Sequence, residues 1–116
     1  MAGWIGVDLD GTLAKYDKWE GPYVIGDPIP RMVQRVKNWL AQGIEVRIVT
    51  ARVSQDENTV EDRRVRIAIA AWSLNHIGQT LPMTCVKDYQ MEVLYDDRCV
   101  QVERNTGRLI TDGSKE

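Results

Sequence analysis

Trp4-Ile5-Gly6-Val7-Asp8-Leu9-Asp10-Gly11-Thr12-Leu13 is the stretch on which the reading of this chain turns. From Trp4 to Leu9 it is apolar with a single break. Such a run suits a strand buried on both faces better than one with a wet face. Asp8 and Asp10 stand where the run ends, and Asp10-Gly11 is a common turn signal. The first expectation is therefore a buried strand that stops abruptly in carboxylates.

Reading outward, residues 11–30 are rich in Gly, Pro, Asp, Lys and aromatics and contain Gly21-Pro22 and Asp27-Pro28-Ile29-Pro30. They predict a long loop or flap, and loops of that length are often functional. Pro30 suits the first turn of a helix. Met32, Val33, Val36, Trp39 and Leu40 then form one apolar stripe, and Gly43 supplies the stop. Ile44 to Thr50 alternates and is rich in β-branched residues, which predicts a second strand. A polar loop, Arg52 to Thr59, leads to a second helix over Val60 to His76, with Val65, Ile69 and Trp72 at helical spacing and Gly78 after it. Met83 to Val86 reads as a third strand ending at Lys87, and Glu92 to Tyr95 as a fourth ending at Asp96-Asp97. Beyond it the pattern allows a hairpin turning at Asn105-Thr106-Gly107 or a short helix capped at Gly107, and the hairpin is favoured. The tail over 111–116 is expected to fray. Strands alternating with helices predict an α/β fold, a Rossmann-like three-layer α/β/α sandwich with a mainly parallel sheet, as a single domain over residues 1–116.

Composition narrows the function classes. The 116 residues are 43% hydrophobic and 28% charged, an ordinary globular balance, and the aromatic bulk is all Trp and Tyr because Phe is absent. A net charge of −2 argues against charge-driven nucleic-acid binding, although Arg63, Arg64 and Arg66 leave room for a local basic patch. Cys85 and Cys99 lack metal-site spacing and are expected to be buried free thiols, which points to a reducing, cytoplasmic setting. No signal-peptide core and no bilayer-length apolar run is present, so a membrane role is not expected.

The four strands share a property that matters more than any one of them. The first ends at Asp8 and Asp10, the second at Thr50, the third at Lys87, the fourth at Asp96 and Asp97. In open α/β sheets ligands bind outside the carboxyl ends of the strands. Each residue has an ordinary structural explanation alone: a turn former, a strand-end hydroxyl, a solvated lysine, a cap. Their joint arrival, one set per strand end, points to phosphoryl chemistry. Carboxylates gathered so closely repel, and a divalent cation with a preference for hard oxygen ligands, Mg²⁺, is the natural remedy.

Val7-Asp8-Leu9-Asp10-Gly11-Thr12-Leu13 resembles the first motif of the haloacid-dehalogenase superfamily. Ile48-Val49-Thr50-Ala51-Arg52 resembles the second, Lys87 the third, and Leu94-Tyr95-Asp96-Asp97 the acidic fourth. The resemblance spans about residues 4–98 and implies a Mg²⁺-dependent phosphomonoester hydrolase. It makes Asp8 the nucleophile and Asp10 the general acid and base. Thr50 and Lys87 would hold the phosphoryl oxygens, and Gly11, Thr12, Ala51 and Arg52 would border the substrate. The metal set would be Asp8, Asp10 through its backbone carbonyl, Asp96 and Asp97. Gaps 11–48 and 51–87 each hold one loop and one helix, too little for the cap domain many members carry. An uncapped site suits a large substrate or closure by a second copy in a homo-oligomer. Asp10 to Lys15 and Asp96-Asp97-Arg98 look most like the phosphatase halves of phage polynucleotide kinase-phosphatases. That likeness makes a nucleotide or polynucleotide 3′-phosphate one candidate substrate, beside other phosphorylated small molecules.

Two other readings use the same residue types. A phosphotransferase or mutase of the same superfamily needs the same groups, though such members generally carry caps. A receiver-like phospho-acceptor domain also groups Asp, Thr and Lys at strand ends. There the phosphorylated Asp lies between the acidic pair and the Thr, whereas here Thr50 follows the first pair directly. His76, near a helix C-terminus, reads as structural. Tyr16, Trp19 and Tyr23 either line a substrate entrance or pin the flap.

Overall fold

The computed structural model describes residues 3–110, so the expected frayed tail at 111–116 lies outside the described residues. Strand β1 spans Trp4–Asp8, helix α1 Pro30–Ala41, β2 Glu45–Val49, α2 Val60–Ile77, β3 Met83–Thr84 and β4 Met91–Tyr95. Two short strands follow, β5 at Gln101–Val102 and β6 at Leu109–Ile110. The four longer-range strands form one sheet in the order β3-β2-β1-β4, and every pairing in it is parallel. The α/β class and the Rossmann-like parallel sheet are those expected from the sequence.

Val7, Leu9, Val46 and Ile48 turn one way from the sheet and share a buried cluster with Met32, Val33 and Val36 of α1 and Val65, Ile69 and Trp72 of α2. The two helices also pack on each other. Gly6 and Arg47 face the other way in register. There the Arg47 guanidinium lies 4.4 Å over the Trp4 ring, and the Trp4 indole donates to Asp88 at 2.8 Å. On that face Trp4 is buried, with the Arg47 and Asp88 side chains against it.

The helix ends follow local rules. Pro30 opens α1 with no side-chain cap, and the chain leaves it through Gly43 at φ 78°. In α2 the Thr59 hydroxyl accepts from the Asp62 amide, and Glu61 and Asp62 occupy the first turn where the helix dipole favours acids. Asp62 is buried yet satisfied, by the Ser54 amide and by Arg66, both at 2.6 Å. Arg66 is thereby tied down, so the suggested basic patch loses that member. The His76 ring packs on Trp72 with centroids 4.9 Å apart, a structural place as expected.

Two expectations change, and one open choice is settled. β3 has two residues and stops at Thr84, because the Thr84 hydroxyl bonds to both the amide and the carbonyl of Val86 and turns the chain off the sheet. Lys87 is therefore three residues beyond the strand and exposed. Cys85 and Cys99 are free, as expected, but exposed rather than buried. Cys85 sits in the turned-off segment, and Cys99 follows a turn in which the Arg98 amide donates to the Asp96 side chain. The open choice after Asp97 resolves as the hairpin: β5 and β6 pair antiparallel, with Asn105 at φ 69° and Gly107 at φ 81° in the turn. Among the described residues no helix is long and apolar enough to cross a membrane.

Candidate active site

β1 is the strand at which the sheet order reverses: β2 and β3 lie to one side of it and β4 to the other. The crevice outside the carboxyl ends of β1 and β4 is thus the topological switch point, the place where such sheets bind ligands. Asp8 ends β1, and Asp96-Asp97 follow β4 directly. One carboxylate oxygen from each of Asp8, Asp96 and Asp97 falls within a 4.8 Å cluster.

Thr12 ties this cluster together from below. It is buried, its hydroxyl accepts from the Asp97 amide at 2.9 Å, and it lies 3.1 Å from Asp97 Oδ1 and 3.3 Å from Asp8 Oδ2. The chain can make this return only because Gly11 has no side chain. Gly11 sits at φ 90°, and a Cβ there would stand 2.5 Å from Asp97 Oδ2. Partial burial, then the Asp97 carboxyl and the charge of Asp96, push Asp8 from its ordinary 3.8 up to about 7, while the Thr12 hydroxyl pulls it down. An acid held that far from its ordinary value, first by burial and then by neighbouring carboxylates, marks a site short of positive charge. Two oxygens on opposite sides of a Mg²⁺ ion stand about 4.2 Å apart, twice the ordinary bond length. The three carboxylates lie close enough together to hold a divalent cation.

Asp10 is set apart from the cluster. Its two oxygens take the Arg52 fork, from Nε at 2.8 Å and from Nη2 at 2.9 Å. Arg52 Nη1 reaches the carbonyls of Gly21 and Pro22, and the guanidinium stacks 4.9 Å from the Trp19 ring centroid. Thr50 is buried at the end of β2, and its hydroxyl oxygen accepts from the Arg52 amide at 3.1 Å, which leaves its proton free to donate.

The flap leaves and rejoins the sheet through a narrow neck. Lys15 donates to the Asp27 carbonyl at 2.8 Å and Ile29 to that of Leu13 at 2.9 Å. The neck closes tightly because Gly26 lies against the Lys15 carbonyl, with no room for a Cβ. From there residues 16–25 reach the mouth of a cavity of about 510 Å³ lined by Asp8, Asp10, Tyr16, Trp19, Thr50, Ala51, Arg52, Asp96, Asp97 and Arg98. A second hollow of about 620 Å³ shares Trp19, Ala51 and Arg52 with it and continues past Tyr23 to the start of α2.

The structure thus brings together Asp8, Asp10, Thr50, Ala51, Arg52, Asp96 and Asp97. Thr12 and Gly11 shape the cluster from behind rather than lining the cavity. Lys87 is not part of the lining, and Arg98 is the further cation that is. Its position next to the acidic pair was the one sequence signal for it.

No family model matches the chain, and no curated protein matches it in sequence. Among solved structures, a conserved protein from Bacteroides thetaiotaomicron is similar in fold, with a TM-score of 0.57 over 85% of this chain and 78% of that one, at 20% identity. At that identity the likeness speaks to the fold alone.

Proposed function

We propose that this chain is a Mg²⁺-dependent phosphomonoester hydrolase of the haloacid-dehalogenase type, working through an aspartyl phosphate on Asp8. The observation that carries the reading is the convergence of Asp8, Asp96 and Asp97 within 4.8 Å at the switch point, with Asp10 two residues from Asp8 and facing the same cavity. Asp8, Asp96 and Asp97 would hold the ion, which when bound supplies positive charge beside the reacting phosphoryl oxygens.

An oxygen of Asp8 attacks phosphorus and forms a P–O bond as the bond to the leaving oxygen breaks. Asp10 gives that oxygen its proton. Water then attacks the acyl phosphate, Asp10 takes its proton, and the Asp8–phosphorus bond breaks to release inorganic phosphate. Thr50 donates its hydroxyl to a phosphoryl oxygen, and Arg98 supplies a second positive charge at the rim. Thr12 keeps Asp8 and Asp97 in register with each other throughout.

The deciding experiment is a phosphatase screen in Mg²⁺ across p-nitrophenyl phosphate, nucleotides, sugar phosphates and 3′-phosphorylated oligonucleotides, with Asp8→Asn as the control. Release of phosphate by the wild type, absent in the variant and after chelation, is the expected result. Activity that survives EDTA, or that Asp8→Asn retains, removes the proposal. Phosphate transfer to an added alcohol in place of water would move the chain to the phosphotransferase reading.

A further inference from the structure

Arg52 has the position of a substrate ligand but the bonding of a strut. Its side chain is 5% exposed. Of the five guanidinium N–H groups, Nε and one on Nη2 go to Asp10, and Nη1 serves the carbonyls of Gly21 and Pro22. One N–H on Nη2 is left, too few for the two-pronged grip by which arginine holds a phosphate. Each oxygen of Asp10 accepts one of these bonds and keeps a second lone pair for a proton, so the orientation of that carboxyl group is set by where Arg52 stands.

Arg52 in turn stands where the flap puts it. Gly21 and Pro22 belong to the flap, as does Trp19, whose ring backs the guanidinium. The opposite end of the residue is fixed by the hydrogen bond its backbone N–H donates to the Thr50 hydroxyl at the end of β2. Three parts of the molecule, the β2 end, the flap and the carboxylate after β1, meet in one side chain. A Lys could supply the charge but neither the fork nor the planar stacking surface.

We infer that Arg52 is a positioning residue that couples the flap to Asp10, so that the flap's seat sets the aim of the Asp10 carboxylate. The kinetic half of this inference rests on the proposed phosphatase chemistry; the structural half does not. Loss of the strut frees the flap beyond its neck and lets Asp10 rotate away from the leaving group, while phosphate binding at Thr50 and the carboxylate cluster persists.

The test uses the whole chain and two variants, Arg52→Met and Arg52→Lys, with ¹H–¹⁵N spectra, amide hydrogen exchange and steady-state kinetics on an alkyl phosphomonoester, whose leaving oxygen needs the proton of Asp10. In both variants, flap amides over 16–25 are expected to exchange about ten-fold or more faster, as loss of a charge-assisted bond implies, while amides of β1 and β2 keep their rates. The Trp19 indole resonance should shift in both. Turnover should fall by about 10²-fold, the cost of a reacting group misplaced by roughly 1 Å, with KM within about three-fold of wild type. Flap exchange and the Trp19 resonance unchanged in Arg52→Met would overturn the coupling whether or not the wild type proves to be a phosphatase. A large rise in KM at unchanged kcat, restored by Arg52→Lys, would make Arg52 a phosphate ligand and overturn it by the other route. Faster exchange across β1 and β2 as well would show a general loss of fold. Trp19→Ala then decides, since it removes only the stacking ring from an exposed position. It must loosen residues 16–25 alone, or the coupling is wrong.

Discussion

The floor of the cavity and its flap wall are built on opposite plans. The floor is the end of the sheet. Asp8 closes β1, Asp96 and Asp97 follow β4, and Thr12 binds the two sides together from a buried position. Each carboxylate is within two residues of a ladder, so its backbone can move only if the sheet does. The flap has no ladder beyond its neck. It is held by Arg52, by the Trp72 indole on the Gly26 carbonyl at 2.9 Å, and by Ile25, half-buried against the core. Chemistry that tolerates no displacement belongs on the floor, and adaptation to a leaving group belongs in the flap.

The sharpest way to break this division is at Asp8, the proposed nucleophile. Asp8→Asn preserves shape and should lower turnover at least about 10⁴-fold, the scale for loss of a nucleophile. The fold should hold or gain stability, since it removes a negative charge from a crowded cluster. Burst-phase kinetics and a thermal melt check the two halves. Asp10→Asn comes next, with a loss of roughly 10²–10⁴-fold on alkyl phosphates and a smaller first-step loss on p-nitrophenyl phosphate, whose leaving group needs little protonation. Equal losses on both would remove Asp10 as the acid.

A subtler probe of the floor is pH. An acid whose folded-state pKa stands above its unfolded value binds its proton more tightly in the native state. For the metal-free protein, the stability due to protonated Asp8 is complete below about 3.8 and is lost as pH rises through about 7. A cation opposes that loss, so the gain in Tm on adding Mg²⁺ should grow across the same interval and be small near pH 4. Thr12→Val removes the one contact that lowers the Asp8 pKa, so it should move this transition upward. Titrating Tm with and without Mg²⁺ at several pH values measures both; a Mg²⁺ effect independent of pH would separate Asp8 from the ion.

The same contrast explains what the sequence disclosed. The floor was legible because it is local: an apolar run followed at once by carboxylates marks both the strand and the groups at its end, and Asp8, Thr50, Asp96 and Asp97 fell where the pattern placed them. Helix α1 was legible through its single apolar stripe, and the β5–β6 turn through Asn105 and Gly107. Lys87 was misplaced because Cys85 and Val86 have the residue types of a strand, while the Thr84 side chain competes for the backbone and ends the pairing first. The exposed thiols follow from the same early stop and from the turn at Asp96. The Arg52 fork was illegible for a different reason. It joins residues thirty or more positions apart through a flap with no periodic pattern, and no local rule reports where such a segment seats.

The smallest expected effect lies at Trp19, and it separates the two regions most finely. Its ring is 57% exposed and touches Arg52 on one side, so truncation removes little buried surface. A change in stability of about 1 kcal/mol or less is expected, as for surface positions without a buried partner. The ring also stands on the boundary between the two hollows, the one lined by Asp8 and the one that runs past Tyr23. A leaving group that extends from the first hollow into the second meets it, and an exposed indole offers that group a stacking surface. Trp19→Ala should therefore raise KM for a bulky aromatic phosphomonoester by a few-fold more than for a small alkyl one, with Asp8-dependent turnover still present. Measuring both substrates beside a thermal melt checks it. A drop in Tm of many degrees at an unchanged substrate ratio would make Trp19 a pin for the flap, and the adaptable wall would then have to be sought at Tyr16 and Tyr23.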